Sequence, residues 1–461
     1  MILIDILPDE ILLAIFDFYV KVYWETKREI EKWQSLVHVC RRWRSIVFRS
    51  PCRLDLQLAG TPDTPVRETL EVWPALPLFV KLNADPEQTE GLDNTIAILE
   101  HSDRVYHIEL TVDASSLEIV LAAMQVPFPE LTHLELTSYQ SYAALPDSFL
   151  GGSAPRLRYL CMMGIPFPGL PKLLLSATQL VRLHLCDIPH SGSISPEAMA
   201  IVLSTLTRLE SFQLEFQSPR SHPDLASRRP PPLTCSIVSA LTELNFYGVN
   251  EYFDDLVAHI DAPRLDELHI GFFDQIVFNP LQFIRFISRT PKLNALEKAS
   301  VQFLDSLVFV KLSSGSRMLK VVITCEELVR QISSLKQLFS SSLPPLSTCE
   351  DLHISVSLYG KPWRDIIEST LWLELLRPFI AVKNLYLSEK ITQCIMPTLQ
   401  ELVGNRTTEV LPNLEHIFLK KFHLSGPYQE VIMRFVDARK VTNHPVTVSR
   451  LQEDDSDSDS E

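Results

Sequence analysis

A hydrophobic pattern of the form Leu-x-x-Leu-x-Leu recurs along most of this chain and restricts its fold more than any other feature. With apolar substitutes allowed, copies begin at Val105, Leu131, Leu157, Leu180, Leu209, Leu241, Leu265, Leu293, Leu319, Cys349, Val382 and Leu414. The intervals between them run from 23 to 33 residues, which is room for one strand and one short helix. One such unit cannot bury its own apolar face, so neighbouring units must stack into an array. The copies at Leu293, Leu319 and Cys349 are the least regular.

The residues around the repeated pattern support this division into strands and helices. Proline stands two residues before the first leucine in five copies, at Pro129, Pro155, Pro263, Pro291 and Pro412, where it ends the preceding helix or loop. Residues 196–206 are typical of a short helix capped by Ser195. Ahead of the array, residues 53–58 alternate and predict a strand, and residues 66–72 predict a helix. The alternative is an ordinary α/β domain of leucine-rich composition, which so many similar intervals disfavour.

A different, helical pattern precedes the array. Apolar residues fall on one face of a helix that contains Ile11, Ile15 and Phe16, and Pro8 suits its first turn. A second helical run extends from Trp33 to Val47. Fewer than fifty residues cannot hide this much apolar surface, so part of it must face the next domain or a partner.

These N-terminal residues resemble an F-box. Leu7-Pro8, Ile11 and Ile15-Phe16 are followed by Leu36 and by the string Val39-Cys40-Arg41-Arg42-Trp43, in the family's order, over residues 5–53. The spacer at 23–32 is longer than in the family, and Pro51-Cys52-Arg53-Leu54 replaces the usual Pro-x-Leu-Trp close. The resemblance implies docking onto the Skp adaptor of a ubiquitin ligase and, through it, onto a cullin. The adaptor surface would be formed or supported by Leu7, Pro8, Ile11, Ile15, Phe16, Leu36, Val39 and Trp43. The alternative is a helical cap on a larger domain.

The repeated region in turn resembles the leucine-rich-repeat region of F-box proteins, especially the irregular repeats of fungal ones. We therefore predict an α/β fold with three parts. They are a helical F-box at residues 1–55, a leucine-rich-repeat-like solenoid (an irregular horseshoe) at 56–448, and a disordered acidic tail at 449–461. The tail is expected to be disordered because a highly charged segment has nothing to bury. Residues 219–232, with three consecutive prolines, predict an exposed loop.

Composition limits the classes of partner. The formal net charge of −15 argues against general binding of nucleic acid. No apolar run approaches the ~20 residues that cross a bilayer, so no membrane partner is expected. The eight cysteines show no Cys-x-x-Cys spacing, which favours reduced thiols and a cytoplasmic or nuclear location. We expect no cofactor, no metal and no catalytic residue, because the phosphate-loop, nucleophile-elbow and zinc motifs that we searched for are missing.

Histidines are frequent on the strand positions that face away from the core. They are His107, His133, His184, His269, His353 and His416, accompanied by Glu109, Glu135, Glu243, Glu267 and Asp351. One interpretation is a metal or proton-transfer site. The interpretation we favour is a polar recognition surface, because these positions are spread over many strands, each ~5 Å from the next.

The sequence thus favours the substrate-receptor subunit of a Skp–cullin–F-box ubiquitin ligase. An unidentified target protein would lie along the strand face, anchored at Tyr159, Arg182 and Tyr247, with His184 and Glu243 beside them. Aromatic and arginine side chains are the usual anchors of interfaces. A leucine-rich-repeat scaffold without a ubiquitin-ligase role is the alternative, and it would be favoured if the face formed by Ile11, Ile15 and Phe16 were buried against the repeats. An enzyme has no supporting motif.

Overall fold

The computed structural model describes residues 7–21, 33–51, 53–54, 56–60, 66–83, 91–138, 144–166, 170–192, 194–219, 235–273, 281–340, 343–357, 368–402, 404–420 and 427–451. Residues 220–232 of the predicted loop, the spacer at 23–32 and residues 452–461 of the predicted tail lie outside these ranges. Residues 449–451, predicted as the start of the disordered tail, instead belong to the strand Thr447–Leu451. The chain divides into two compact units, Met1–Ser193 and Ile194–Glu461, and each is described by itself.

The first unit begins with helices and continues as strands separated mostly by helices. Its helices are α1 (Asp9–Lys21), α2 (Trp33–Val39), α3 (Arg41–Arg49), α4 (Val66–Val72), α5 (Leu92–Leu99), α6 (Ala114–Ala123) and α7 (Leu170–Ser176). Its strands are β1 (Leu58–Gly60), β2 (Leu78–Asn83), β3 (Val105–Val112), β4 (His133–Ser138), β5 (Tyr159–Met163) and β6 (Arg182–Ile188). All neighbouring strands are parallel and follow chain order, as expected for stacked strand–helix repeats.

The second unit continues the same alternation up to its middle. Its helices are α8 (Pro196–Thr205), α9 (Asn250–His259), α10 (Leu281–Arg289), α11 (Leu328–Ser340), α12 (Ser369–Leu376), α13 (Glu389–Gln400) and α14 (Pro427–Val441). Its first strands are β7 (Ser211–Phe216), β8 (Ser236–Ile237), β9 (Glu243–Gly248), β10 (Ile260–Asp261), β11 (Glu267–Phe272) and β12 (Lys298–Leu304). The remaining strands are β13 (Leu307–Ser314), β14 (Arg317–Thr324), β15 (Asp351–Ser357), β16 (Asn384–Ser388), β17 (His416–Lys420) and β18 (Thr447–Leu451). The short strands β8 and β10 pair with each other.

The main sheet of the second unit departs from chain order at one place. Its strands run in the order β7, β9, β11, β14, β13, β12, β15, β16, β17, β18. Strand β13 is antiparallel to both of its neighbours, and the other pairs are parallel. The hairpin-connected strands β12, β13 and β14 are called the meander below. The meander is therefore a local departure from the predicted strand–helix repeat, because β12 and β13 are joined by a turn too short for a parallel crossover.

The meander also explains why two repeat copies looked irregular. In register with β15, the copy placed at Leu293 begins three residues later, at Leu296, and Leu293 itself lies in a 3₁₀ turn. Leu319 pairs with Leu268 of β11 and is the second apolar position of its strand rather than the first. Antiparallel strands obey the same alternation as parallel ones, so periodicity alone did not separate the two.

The start of the array also differs from the prediction. The first strand is β1 (Leu58–Gly60), and Arg53 and Leu54 lie in a turn, so the strand predicted at 53–58 was wrong. Leu54 and Leu56 are buried nonetheless, which produced the alternation. The predicted helix at 66–72 is confirmed as α4. The helix at 196–206 is confirmed as α8, whose first turn is capped by the Ser195 side chain.

The core of each unit lies between the sheet and the helices. The repeated apolar positions are almost without solvent exposure, as Leu134, Leu160 and Leu183 show in the first unit and Leu244 and Leu352 in the second. Each fully buried leucine contributes about 2 kcal/mol by removal from water. The alternate residues of the same strands are left half-exposed on the opposite face, which is where the candidate recognition residues lie.

Candidate functional site

The N-terminal helices form a small packed group of their own. Phe16 of α1 is fully buried, and its ring lies 4.7 Å from that of Trp43 on α3. Leu36 and Val37 of α2 and Val47 of α3 are also buried. Because these side chains face inward, they fix how α1 and α3 are presented rather than contacting a partner directly.

A polar contact holds the beginning of α1 to α3. The guanidinium of Arg42 donates to the carbonyl of Leu7 at 2.5 Å and to the carboxylate of Asp9 at 2.6 Å. Pro8 supplies the carbonyl that accepts the first helical hydrogen bonds, so the helix begins at Asp9. Arg42 thus positions the Leu7-Pro8 corner.

An apolar stripe on this helical group is exposed. Ile11, Ile15 and Phe18 of α1 are 48%, 46% and 69% exposed, and Val39 at the end of α2 is 58% exposed. The spacing of the three α1 residues is i, i+4 and i+7, which places them along one face. Contiguous exposed apolar surface on a soluble domain marks an interaction site. We call the three α1 residues the apolar stripe.

The predicted adaptor-binding residues differ in solvent exposure, so some can contact a partner and others support them from beneath. Pro8, Ile11, Ile15 and Val39 are exposed, Leu7 and Trp43 are half-buried, and Phe16 and Leu36 are buried. Phe18 was missed, although its position seven residues after Ile11 was a signal for it. Whether these residues bind an adaptor stays a prediction.

The helical group is joined to the first strands through Trp33 and not through the apolar stripe. The Trp33 indole is buried, donates to the carbonyl of Gln57 at 2.8 Å, and meets the Trp73 ring edge-on at 5.1 Å. Tyr106 of β3 donates to the side chain of Gln57. Ile11 and Ile15 are exposed, and Phe16 is buried against Trp43 of α3 rather than against the repeats. The condition that would have favoured the scaffold alternative is therefore not met.

Rings form a continuous ladder across the strand face of the first unit. Phe79 lies 4.5 Å from His107, His107 stacks on His133 at 5.0 Å, and His133 stacks on Tyr159 at 6.0 Å. Tyr159 then meets His184 edge-on at 5.6 Å. The ladder arises because parallel strands in register place equivalent side chains beside one another.

Charges within this ladder are balanced by neighbours. His107 Nε2 donates to Glu109 at 3.1 Å, and Lys81 binds the other carboxylate oxygen. The hydrogen bond from His107, followed by that from Lys81, lowers the pKa of Glu109 to about 2 against the opposing effect of burial. Burial lowers the pKa of His133 and raises that of Tyr159, so both rings are neutral at pH 7. Among the described residues, no group of three His, Cys, Asp or Glu side chains is placed to hold a metal ion.

The predicted target-binding residues divide between the two units. Tyr159 and Arg182 are paired in register on β5 and β6, and His184 touches the same tyrosine ring. Glu243 and Tyr247 lie on β9 of the second unit. The role of these residues in binding stays a prediction.

In the second unit, Tyr247 and Glu243 are already engaged. The Tyr247 ring covers Gly271, where a Cβ would lie 2.0 Å from Cδ2, and its hydroxyl is 3.2 Å from Thr324 Oγ1. Glu243 accepts hydrogen bonds from Ser211 at 2.9 Å and Asn245 at 2.8 Å. Tyr247 is therefore a rigid part of the face.

The end of the second unit carries a second ring stack, of which one member, His353, was predicted to lie on the recognition surface. His353, Tyr386 and Phe418 occupy equivalent positions on β15, β16 and β17. Neighbouring ring centroids are 4.0 and 4.7 Å apart, and the ring planes are nearly parallel. The signal that would have found this stack is the shared position of the three rings within successive repeats.

Comparison with known protein families identifies the N-terminal helical group. Residues 4–52 match the F-box-like family. Among curated proteins no sequence matches the chain. One solved structure similar to this chain is the leucine-rich repeat-containing protein LegL7 from Legionella pneumophila, at 12% identity and a TM-score of 0.28, covering 82% of this chain and 97% of that one. None of the described helices is both long and apolar enough to cross a membrane.

The chain thus carries an F-box-like domain followed by a leucine-rich-repeat-like region. The first statement follows from the family match, and the second from strand and helix units that repeat with a common register.

Proposed function

We propose that this protein is a substrate receptor of a Skp–cullin–F-box ubiquitin ligase. The apolar stripe on the F-box-like helices carries this proposal, because it is exposed while the residues beneath it are buried and fixed. A stripe of this kind is stabilised by covering it with an apolar partner surface. The Skp adaptor is that partner, and a cullin is reached through it.

The strand faces hold the target protein. Half-buried rings and an arginine, as at Tyr159 and Arg182, supply contact area at small conformational cost. The receptor acts by binding, without cofactor or catalysis of its own, in the cytoplasm or nucleus where such ligases work. The net charge of −15 favours protein rather than nucleic acid as the target.

The test is co-expression with a Skp adaptor, scored as a complex that survives affinity purification and gel filtration. We expect the wild-type chain to co-purify and the double variant Ile11→Asp, Ile15→Asp to lose the adaptor. Two isoleucines removed from an interface cost roughly 3–6 kcal/mol, or about a hundredfold or more in affinity.

A matched control uses the same substitutions on exposed isoleucines of the repeat helices. Ile119 on α6 and Ile201 on α8 are 51% and 60% exposed. The variant Ile119→Asp, Ile201→Asp should retain the adaptor, with both variants showing the wild-type circular dichroism. Failure of the wild-type chain to bind, or equal binding by both variants, contradicts the proposal.

A further inference from the structure

The meander places an unusual row of side chains on the solvent face of the second unit. His269 of β11 pairs with Lys320 of β14, Lys320 pairs with Lys311 of β13, and Lys311 pairs with Ser300 of β12. Two lysines therefore lie directly opposite each other on neighbouring strands. Like charges in that position are destabilising unless an anion lies between them.

No carboxylate in the described part of the chain neutralises these lysines. The ammonium groups of Lys311 and Lys320 have no acidic oxygen within 4.0 Å there, and Lys320 lies 5.7 Å from the centroid of the Phe309 ring. Lysines elsewhere in the unit do form pairs, as Lys292 does with Asp266 at 2.7 Å and Lys383 with Glu350 at 3.0 Å.

The carboxylate nearest to Lys320 on the same face is that of Glu267, which lies two residues before His269 and pairs in register with Met318. It forms no ion pair with either lysine within 4.0 Å, and the carboxylates farther away have other partners. Glu243 accepts from Ser211 and Asn245, and Asp351 accepts from Asn384 at 2.8 Å. The positive charge of the lysine row is therefore available to an external anion.

An apolar row runs beside the lysine row, two residues away on each strand and so at ~7 Å. Val322 of β14 pairs with Phe309 of β13, and beyond Val322 the Tyr247 ring covers Gly271. Val322, Phe309 and Tyr247 are half-buried, so each leaves apolar surface in contact with water. We call the two rows together the meander face.

We propose that the meander face binds an acidic segment of the target protein that carries an apolar side chain next to its carboxylates. This inference rests on the proposed function and gives its target a chemistry. Carboxylates would pair with Lys311 and Lys320, and the apolar side chain would lie on Phe309 and Val322. A polynucleotide fits less well, because its regular phosphates would run over the carboxylates that flank the lysines, Glu243, Glu267 and Asp351.

The acidic residues 453–461 of this chain are a second possible occupant. They contain six acidic residues and three serines but no apolar residue. They would therefore neutralise the charge of the lysine row but leave the apolar row in contact with water. A target segment with both acidic and apolar side chains would cover both rows.

The experiment measures binding of fluorescein-labelled peptides to the full-length protein by anisotropy at low salt. The probe is Asp-Glu-Asp-Phe-Asp-Glu-Asp, compared with the same peptide bearing Ser for Phe and with one bearing Asn and Gln for the acids. We expect the variant Lys311→Gln, Lys320→Gln to weaken probe binding about tenfold or more. The control Lys390→Gln, Lys440→Gln removes the same charge from exposed helix positions and should change binding less than twofold.

A double-mutant cycle tests the apolar row. Phe309→Ser should weaken the Phe-containing peptide severalfold and leave the Ser-containing peptide unchanged, because only the first has a partner to lose. Equal effects of both lysine variants, equal binding of the uncharged peptide, or no coupling between Phe309 and the peptide Phe would overturn the proposal.

Two further measurements separate the remaining outcomes. A full-length variant with Asp454, Asp455, Asp457 and Asp459 changed to Asn should bind the probe as the wild type does. If it binds manyfold more tightly, the chain's own acidic segment occupies the face and the assignment to a target is wrong. The lysine changes should leave adaptor co-purification unaffected, so the adaptor test and the peptide test are independent. If the wild-type protein does not bind the adaptor, the receptor role is refuted whatever the peptide result.

Discussion

At the scale of single residues, Arg439 of the second unit is a charged side chain that is fully buried. It lies on α14, has no solvent exposure, and donates to the carbonyls of Thr407 at 2.9 Å and Leu414 at 3.1 Å. It also reaches the carbonyls of Leu411 and Pro412 at 3.4 and 3.3 Å. Burial lowers its pKa, but a guanidinium stays charged and its planar donors suit several acceptors at once. Arg439 therefore holds the loop before β17 in place.

We predict that Arg439→Met destabilises the protein by about 3 kcal/mol or more, because several buried carbonyls lose their donors together. Chemical denaturation followed by circular dichroism measures the change. Arg434→Met, on the same helix, breaks only the exposed pair with Glu430 and should cost less than ~0.5 kcal/mol. Similar losses from both substitutions would show that the carbonyl contacts contribute little.

His133 predicts a dependence of stability on pH. Its pKa is lowered from 6.5, first by burial and then by the positive charge of His107, Arg158 and Arg182, with Glu109 acting in the opposite direction. As the pH falls below 6.5, the unfolded chain binds the proton before the folded chain does. His133 should therefore have no effect on the free energy of unfolding above pH 6.5, and it should lower that free energy as the pH falls below 6.5.

Thermal unfolding at pH 7.5 and 5.5 checks this effect. The decrease in Tm between the two values should be smaller in His133→Gln than in the wild type. His444→Gln alters an exposed histidine of the second unit and should keep the full decrease. If the decrease in Tm is the same in His133→Gln as in the wild type, groups other than His133 cause the pH dependence.

Residue-scale prediction from sequence succeeded in part. The F-box resemblance assigned Ile11, Ile15, Phe16 and Leu36 alike to the adaptor surface. It could not show that Phe16 and Leu36 face inward, because that depends on the angle at which α1, α2 and α3 pack. Tyr247 was expected to be an accessible anchor. The structure shows it covering Gly271, a contact between strands that no local pattern reveals.

At the scale of elements, the last strand determines how far the C-terminus can be shortened without loss of stability. β18 (Thr447–Leu451) pairs with β17 over its whole length, and Val446 just before it is buried. Ending the chain after Leu451 removes only a strongly acidic segment and should leave the Tm within about 1 °C. Ending it after Asn443 removes β18, exposes β17, and should lower the Tm by roughly 5 °C or more. Differential scanning calorimetry measures both, and equal Tm values for the two truncations would contradict this prediction.

Element prediction failed where topology, rather than propensity, decided the outcome. The meander strands have the same apolar alternation as the parallel ones, so their direction could not be read from periodicity. The turns 304–307 and 314–317 held the necessary signal, since they are too short to carry a crossover helix. β2 (Leu78–Asn83) was missed because it stands before the first regular copy of the repeat.

At the scale of the whole molecule, the order of parts was predictable and the division into compact units was not. The period of the apolar pattern requires a stacked array, and the helical pattern before it requires a separate group. The boundary between the units near Ser193 has no matching change in composition. Such a boundary reflects how many contacts cross it, which is a property of packing rather than of local sequence.

The meander also has a consequence for how the protein is made. β11 ends at Phe272 and its partner β14 begins at Arg317, 45 residues later (317 − 272), whereas β9 and β11 are separated by 19 residues (267 − 248). At about 5–20 residues per second, the edge of β11 waits roughly 2–9 s on the ribosome for its partner. β12 emerges earlier, points the same way as β14, and competes for that edge during synthesis. Hairpins close in microseconds, so the emergence of β13 and β14 ends the competition and sets the native strand order.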